Sequence, residues 1–198
     1  LEGQLLAGGA SLGAQSAWPR LQGPHNAQTA AAAFAATRAL GVAPEQILRA
    51  FETYPGLPHR MEFVEEIGGV TYLNDSKATN PTSTAPALAA YPAIHWIAGG
   101  KAKTDELDAC LPHLGNVRAA YTIGAAEELF ATLLSPHVPV EKAGTLENAV
   151  KLAARRARPG EVVLLSPACA SYDQFRDFEA RGEAFRAAVA ALREDGTA

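Results

Sequence analysis

Only two cysteines occur in the 198 residues, Cys110 and Cys169, far apart and in no CxxC pair. That excludes a disulfide framework and a thiolate zinc site, and leaves two free thiols that are expected to be buried. The histidines are equally dispersed, as His25, His59, His95, His113 and His137, with no pair at the spacing of zinc ligands. No run approaches the roughly 18 to 20 apolar residues of a membrane span, and no basic segment followed by an apolar one opens the chain. No membrane partner is expected, and a reducing cytoplasm suits the composition. An excess of basic residues is also missing. The formal net charge of -4 gives no broad electrostatic footprint for nucleic acid, so none is expected as a partner, while small anions stay open as ligands. The phosphate-cradling pattern GxxxxGK[ST] does not occur in the chain, and the residues around Ser171 lack the hydrolase elbow GxSxG.

What is present is ordinary globular material, 48% hydrophobic and 19% charged, enough for one complete domain with an attached piece. The chain opens at Leu1 without an initiator methionine, and its first twenty residues, rich in Gly, Ala and Ser, read as irregular. The whole reads as a truncated chain.

The Ala-rich stretch from His25 to Leu40 has strong helix propensity and stops at Gly41, while Pro44 opens a second, shorter helix through Ile47, Leu48 and Phe51. Two prolines and a glycine between Tyr54 and Pro58 then break regular structure, and a domain boundary is placed there, after Gly56. Beyond it, apolar runs flank Gly68-Gly69 and predict a β-hairpin, Met61 to Ile67 with Val70 to Asn74. Strands near Ile94–Ala98, Ala119–Ile123, Val138–Glu141 and Val162–Leu165 alternate with helices near Thr82–Ala90, Ala125–Leu134, Leu146–Arg156 and Gln174–Leu192. That alternation predicts an α/β fold with a doubly wound, mostly parallel sheet, in which ligands gather at the carboxyl ends of strands.

Three of those strand ends are polar. Asn74-Asp75-Ser76-Lys77-Ala78-Thr79-Asn80 follows the hairpin, Gly99-Gly100-Lys101-Ala102-Lys103-Thr104 follows the next strand, and Ser166-Pro167-Ala168-Cys169-Ala170-Ser171-Tyr172-Asp173 follows the last. Turn chemistry and helix capping by Ser171 or Asp173 explain part of this composition, and a solvated lysine loop explains part of the second segment. The alternative is a site for a charged small molecule, with glycines letting backbone approach the ligand and lysines supplying point charges for carboxylate or phosphate. His59-Arg60, just after the domain break, suits either a hinge ion pair or a guanidinium fork on phosphates.

Taken together, Gly56-Leu57-Pro58-His59-Arg60, the Asn74 to Asn80 segment and the stretch from Leu164 to Phe175, with Gly23-Pro24-His25-Asn26 upstream, resemble the Mur ligase family, and within it the MurD type. Other Mur ligases and folylpolyglutamate synthetases usually carry an Asp-Tyr-Ala-His type segment where this chain has Asp75-Ser76-Lys77-Ala78-Thr79. The resemblance implies that residues 1-56 are the end of a central ATPase domain and residues 57-198 a Rossmann-like domain that receives the incoming amino acid. It further implies ATP and Mg2+ as cofactors, the metal ligands lying upstream of Leu1, with D-glutamate and UDP-N-acetylmuramoyl-L-alanine as substrates of a cytoplasmic monomer. By the same resemblance Asn26 stands at the adenine, and Arg60 and Asp75 at the phosphates and ribose. Lys77, Thr79, Lys103, Ser171, Tyr172 and Phe178 form the D-glutamate pocket, with Lys101 a rival to Lys103. Thr29 departs from the family's usual second asparagine, and Tyr172 stands where many relatives have leucine. A folylpolyglutamate synthetase-like ligase and a non-catalytic Rossmann-like amino-acid-binding module are the alternatives. No ligase activity is expected of the 198 residues alone.

Overall fold

The computed structural model describes residues 4–7 and 10–194. The chain divides into two compact units between Gly56 and Leu57.

In the first unit, β1 (Gln4–Ala7) pairs antiparallel with β2 (Ala10–Ala14), and α1 (Pro24–Ala39) and α2 (Pro44–Thr53) follow. The paired ribbon corrects the expectation of an irregular start. Its residues carry little β propensity, so only the backbone ladder, with a register shift between Leu5 and Leu6, reveals it. Both helices open on proline, whose missing N–H costs nothing in a first turn, and α1 ends before Gly41, whose φ of 87° suits a helix terminus. Trp18, Leu21, Ala30, Phe34 and Ile47 form a small core, with Phe51 edge-on to Trp18 at 5.1 Å.

The second unit is built on one six-stranded sheet: β3 (Glu62–Ile67), β4 (Val70–Asn74), β5 (Ile94–Gly99), β6 (Val117–Ile123), β7 (Val140–Gly144) and β8 (Val162–Leu165). Their order across the sheet is β3-β4-β8-β5-β6-β7. Only the β3–β4 hairpin is antiparallel; the other neighbours run parallel. The hairpin turns through Gly68 and Gly69, both at positive φ (58° and 78°), the backbone a two-residue turn of the predicted kind requires. Strands β4, β5, β6 and β8 are mostly buried on both faces because helices cover both, whereas the edge strand β7 carries the charged Glu141 and Lys142. On one face α3 (Pro81–Ala89) and α4 (Glu127–Leu134), with Phe130 of α4, pack over Trp96 and Leu164, and on the other α5 (Leu146–Arg156) and α6 (Phe178–Glu194), with Phe185 of α6, pack over Tyr121 and Val163. Each large side chain buried this way contributes roughly 1.5–3 kcal/mol. Cys110 and Cys169 are free and buried in this core. Among the described residues no helix is long and apolar enough to cross a membrane.

Two predicted boundaries shift. The strand expected at Val138–Glu141 is β7 at Val140–Gly144, because the N–H of Val138 still closes the end of α4 on Leu134 O (3.0 Å). The last helix starts at Phe178 rather than Gln174. Its first turn is capped by Asp177, whose carboxylate accepts from Ala180 N (2.6 Å), and not by Ser171 or Asp173.

Candidate functional site

Parallel strands place their carboxyl ends on one edge of the sheet, so the segments after β4, β8 and β5 become neighbours there. Backbone bonds lace them together. Asp75 N donates to Leu165 O (2.7 Å) and Gly99 N to Pro167 O (2.9 Å). Lys101 and Ala170 exchange two bonds, at 2.8 and 3.0 Å. Gly100 N reaches Ile123 O (3.0 Å) and Gly100 O accepts from Ala126 N (2.8 Å), which brings the end of β6 into the same weave. Asp173 belongs to it as well, accepting from Ala125 N at 2.8 Å.

Asp75 sits at the centre of this edge, 5% exposed. One carboxylate oxygen accepts from Met61 N (3.2 Å) and the other from Ser166 Oγ (2.8 Å), which itself lies 3.1 Å from Thr84 Oγ1. Burial pushes the Asp75 carboxyl up to about 7, although both bonds and the nearby Arg60 guanidinium favour its charged form. The segment carrying exposed Arg60 is itself held in an uncommon conformation, with His59 at φ 60° and Met61 at φ 44°. Three groups hold it: Asp75 on Met61 N, Glu62 on His59 N (2.9 Å), and Lys77 N on His59 O (3.0 Å). The buried His59 ring fits between Asn74 Nδ2 (3.1 Å) and the α6 backbone, where a Cβ on Gly182 would fall 2.1 Å from His59 Nδ1.

Around this rigid edge stand cations and hydroxyls. Lys77 is exposed and its ammonium lies 4.1 Å from the centre of the half-buried Phe178 ring, an arrangement that steers the chain without neutralising its charge. Lys103 Nζ donates to Thr79 Oγ1 (3.3 Å) and so bridges the segments after β5 and β4. Lys101 is exposed and is tied through its backbone only. Ser171 is buried, while Tyr172 next to it is 70% exposed. Cys169 beneath them is no nucleophile, since burial pushes its thiol up to about 12. Fixed donors and positive charges at one sheet edge are chemistry that suits holding and orienting a small anion.

Residues 59–169 match the family model of the Mur ligase, glutamate ligase domain. The chain belongs to the Mur ligase family. It is 57% identical over 185 residues to the UDP-N-acetylmuramoylalanine--D-glutamate ligase of Novosphingobium aromaticivorans, covering 93% of this chain and 42% of that protein. It is 56% identical over 183 residues to the ligase of the same name from Sphingopyxis alaskensis, with 90% and 42% covered. The chain thus spans about two fifths of the length of the curated relatives it matches. Two solved structures share the fold. They are the UDP-N-acetylmuramate-alanine ligase MurC of Thermotoga maritima (TM-score 0.64, 16% identity, 87% of this chain and 39% of that one) and a bifunctional folylpolyglutamate synthase/dihydrofolate synthase of Yersinia pestis (TM-score 0.60, 18% identity, 95% and 43%).

Within this Mur ligase chain the residues singled out from the sequence fall into three pairs and two separate placements. Arg60 acts electrostatically on Asp75, Lys77 lies over Phe178, and Lys103 meets Thr79. Ser171 and Tyr172 share the loop after β8 but differ in exposure. Asn26 lies in the first unit, in the first turn of α1, where its Nδ2 donates to Gln22 O (2.9 Å); exposed Thr29 follows on the same helix. Among the described residues no group of three or more His, Cys, Asp and Glu side chains could hold a metal ion.

One residue escaped the sequence reading altogether. Arg181, 1% exposed, donates from Nε to Ser76 Oγ (3.0 Å) and from Nη2 to Ser76 O (2.9 Å) and Cys169 O (3.0 Å), tying the segments after β4 and β8 to α6. A signal was present: Arg181 is in register with Phe185, Val189 and Leu192 along the buried face of its helix, where a charged residue is out of place.

Proposed function

We propose that this chain is the amino-acid-receiving part of an ATP-dependent ligase that joins D-glutamate to UDP-N-acetylmuramoyl-L-alanine in peptidoglycan synthesis. The observation that carries the reading is the Lys103–Thr79 contact at the strand ends, beside Lys77 and Ser171, in a chain 57% identical to a D-glutamate ligase. An incoming dicarboxylate needs cations and hydroxyl donors on a rigid frame, and the laced strand ends provide one. In the reaction, ATP converts the alanyl carboxylate to an acyl phosphate with release of ADP. The amine of D-glutamate then attacks that carbonyl, an amide bond forms, the bond to the phosphate breaks, and the amine gives up a proton. The chain's part is to hold both glutamate carboxylates so that the amine faces the acyl phosphate. Residues 1-56 read as the end of the central ATPase domain, with Asn26 at the adenine, and Arg60 and Asp75 as the groups that meet ATP. On this reading the enzyme works in the cytoplasm, where ATP is supplied, and as a monomer.

The test is phosphate release from ATP with UDP-N-acetylmuramoyl-L-alanine and either D- or L-glutamate, by a chimaera joining the upstream part of the Novosphingobium ligase to these 198 residues. Release that depends on D-glutamate, with the 198-residue chain alone silent, supports the proposal. Release with L-glutamate and a folate instead moves the chain to the folylpolyglutamate synthetases, and no release with any acceptor favours a binding module. In the same chimaera Lys103→Ala should raise the KM for D-glutamate at least about tenfold, the effect of losing one charge-assisted bond, while the KM for ATP changes little. Unchanged kinetics would transfer the role to Lys101.

A further inference from the structure

Arg181 does more than pin loops. Its guanidinium is buried, yet its three acceptors are two carbonyls and a hydroxyl, all neutral. Among the described residues no carboxylate lies within ion-pair distance of it, Asp173 acting only through its longer-range charge, and Nη1 has no hydrogen-bond partner. Nη1 lies against the Gly99-Gly100 turn, 3.1 Å from where a Cβ on Gly100 would stand. All three polar strand ends therefore converge on one guanidinium: Ser76 after β4, Cys169 after β8 and Gly100 after β5. Arg181 also lies in the first turn of α6, the positive end of the helix dipole, where a cation is disfavoured and an anion is favoured. Burial lowers its pKa only to about 10, so the charge persists at neutral pH. A buried positive charge that the Asp173 carboxylate offsets only from a distance, without an ion pair, is a cost to the free protein, and a bound anion above it relieves that cost.

We propose that Arg181 is a positioning residue that sets the site's preference for an amino acid with a second ionised carboxylate over the same molecule as its neutral amide. The inference rests on the reading of this site as the D-glutamate pocket. Lys77 and Lys103 are exposed, so solvent screens their charges and they discriminate weakly. Arg181 acts from below through a low-dielectric medium, and its fork fixes the Ser76 and Cys169 carbonyls that shape the loops carrying Lys77 and Ser171.

The experiment compares D-glutamate with D-glutamine, isosteric but one charge apart, by calorimetric titration of the 198-residue chain as wild type, Arg181→Lys and Arg181→Met. Wild type should prefer D-glutamate. Arg181→Met should lose about tenfold of that preference, whereas Arg181→Lys, which keeps the charge but not the fork, should bind both ligands more weakly at a nearly unchanged ratio. A purely structural role predicts equal weakening for both ligands in Arg181→Met, and that result overturns the proposal. Should Arg181→Met not fold, the wild-type chain labelled with 15N-arginine decides: the Arg181 Nε–H resonance should shift with D-glutamate and stay in place with D-glutamine. A resonance indifferent to both, in a chain that binds D-glutamate, overturns the proposal. A wild-type chain that distinguishes neither ligand overturns the pocket assignment itself.

Discussion

Gly99→Ala should destabilise the second unit by more than about 4 kcal/mol, the range reached only by substitutions that break a core feature outright. Gly99 closes β5 with φ at 130°, a region that side chains rarely enter. A Cβ there would lie 2.1 Å from Ile123 O, 2.8 Å from Ile123 N and 3.0 Å from Ile123 C. These are backbone atoms of the neighbouring strand, and they move only if β5 and β6 separate at the edge where Gly100 N bonds to Ile123 O. Gly160→Ala is the matched control in the same unit, because its φ of 87° carries the same kind of strain with nothing within 4 Å of the added carbon. Strain alone should cost about 1 kcal/mol. Urea unfolding of the two variants separates the contributions. A Gly99→Ala midpoint close to that of Gly160→Ala would mean that β6 yields easily and that the strand-end weave is not rigid.

The second large effect is a pH dependence centred on Asp75. With its carboxyl raised from 3.8 to about 7 in the folded chain, the native state keeps a proton that the unfolded state has lost. The stability Asp75 contributes is therefore fully present below about pH 4, falls as pH rises towards 7, and is constant above that. Asp75→Asn removes the titration with little disturbance. The amide oxygen can accept from Met61 N, and the amide nitrogen can donate to Ser166 Oγ, whose hydrogen turns to Thr84. Between pH 4 and 7 the unfolding free energy of the variant should accordingly gain on wild type by up to about 4 kcal/mol, at about 1.4 kcal/mol per pH unit. Parallel profiles for the two proteins would show that the carboxylate stays ionised in the fold.

The sheet was legible because its signals are local. Runs such as Ile94–Ala98 and Val162–Leu165 are too short and too apolar for anything but buried parallel strands, and Gly68-Gly69 announces its own turn. Strand order was not legible, since nothing within Val162–Leu165 says that it pairs with Thr71–Asn74 on one side and Ile94–Ile97 on the other. The site divides along the same line. Asp75, Lys77, Thr79, Lys103 and Ser171 stand out because each lies at a strand end among other polar residues. Arg181 was hidden in a helix whose amphipathic pattern invites a reader to treat every arginine as solvated. The start of α6 was missed because Ser171, Asp173 and Asp177 all suit a helix cap, and the choice among them is made by Ala125 N, which engages Asp173 from a distant part of the chain.

Because β8 lies between β4 and β5, the centre of the sheet is the last strand a ribosome would deliver. Until Val162–Leu165 has emerged, the β3–β4 hairpin and the β5-β6-β7 ladder are separate pieces, each with a bare apolar edge towards the gap. At roughly 5–20 residues per second the interval between finishing β5 and gaining β8 lasts several seconds, long compared with the formation of a hairpin. Assembly is thus a closing event, made by the segment that also brings Ser166, Cys169, Ser171 and Arg181. A chain that stalls before that segment offers two open edges to its neighbours and no complete set of strand ends, so the stretch from Val162 onward is the one on which the sheet's integrity depends.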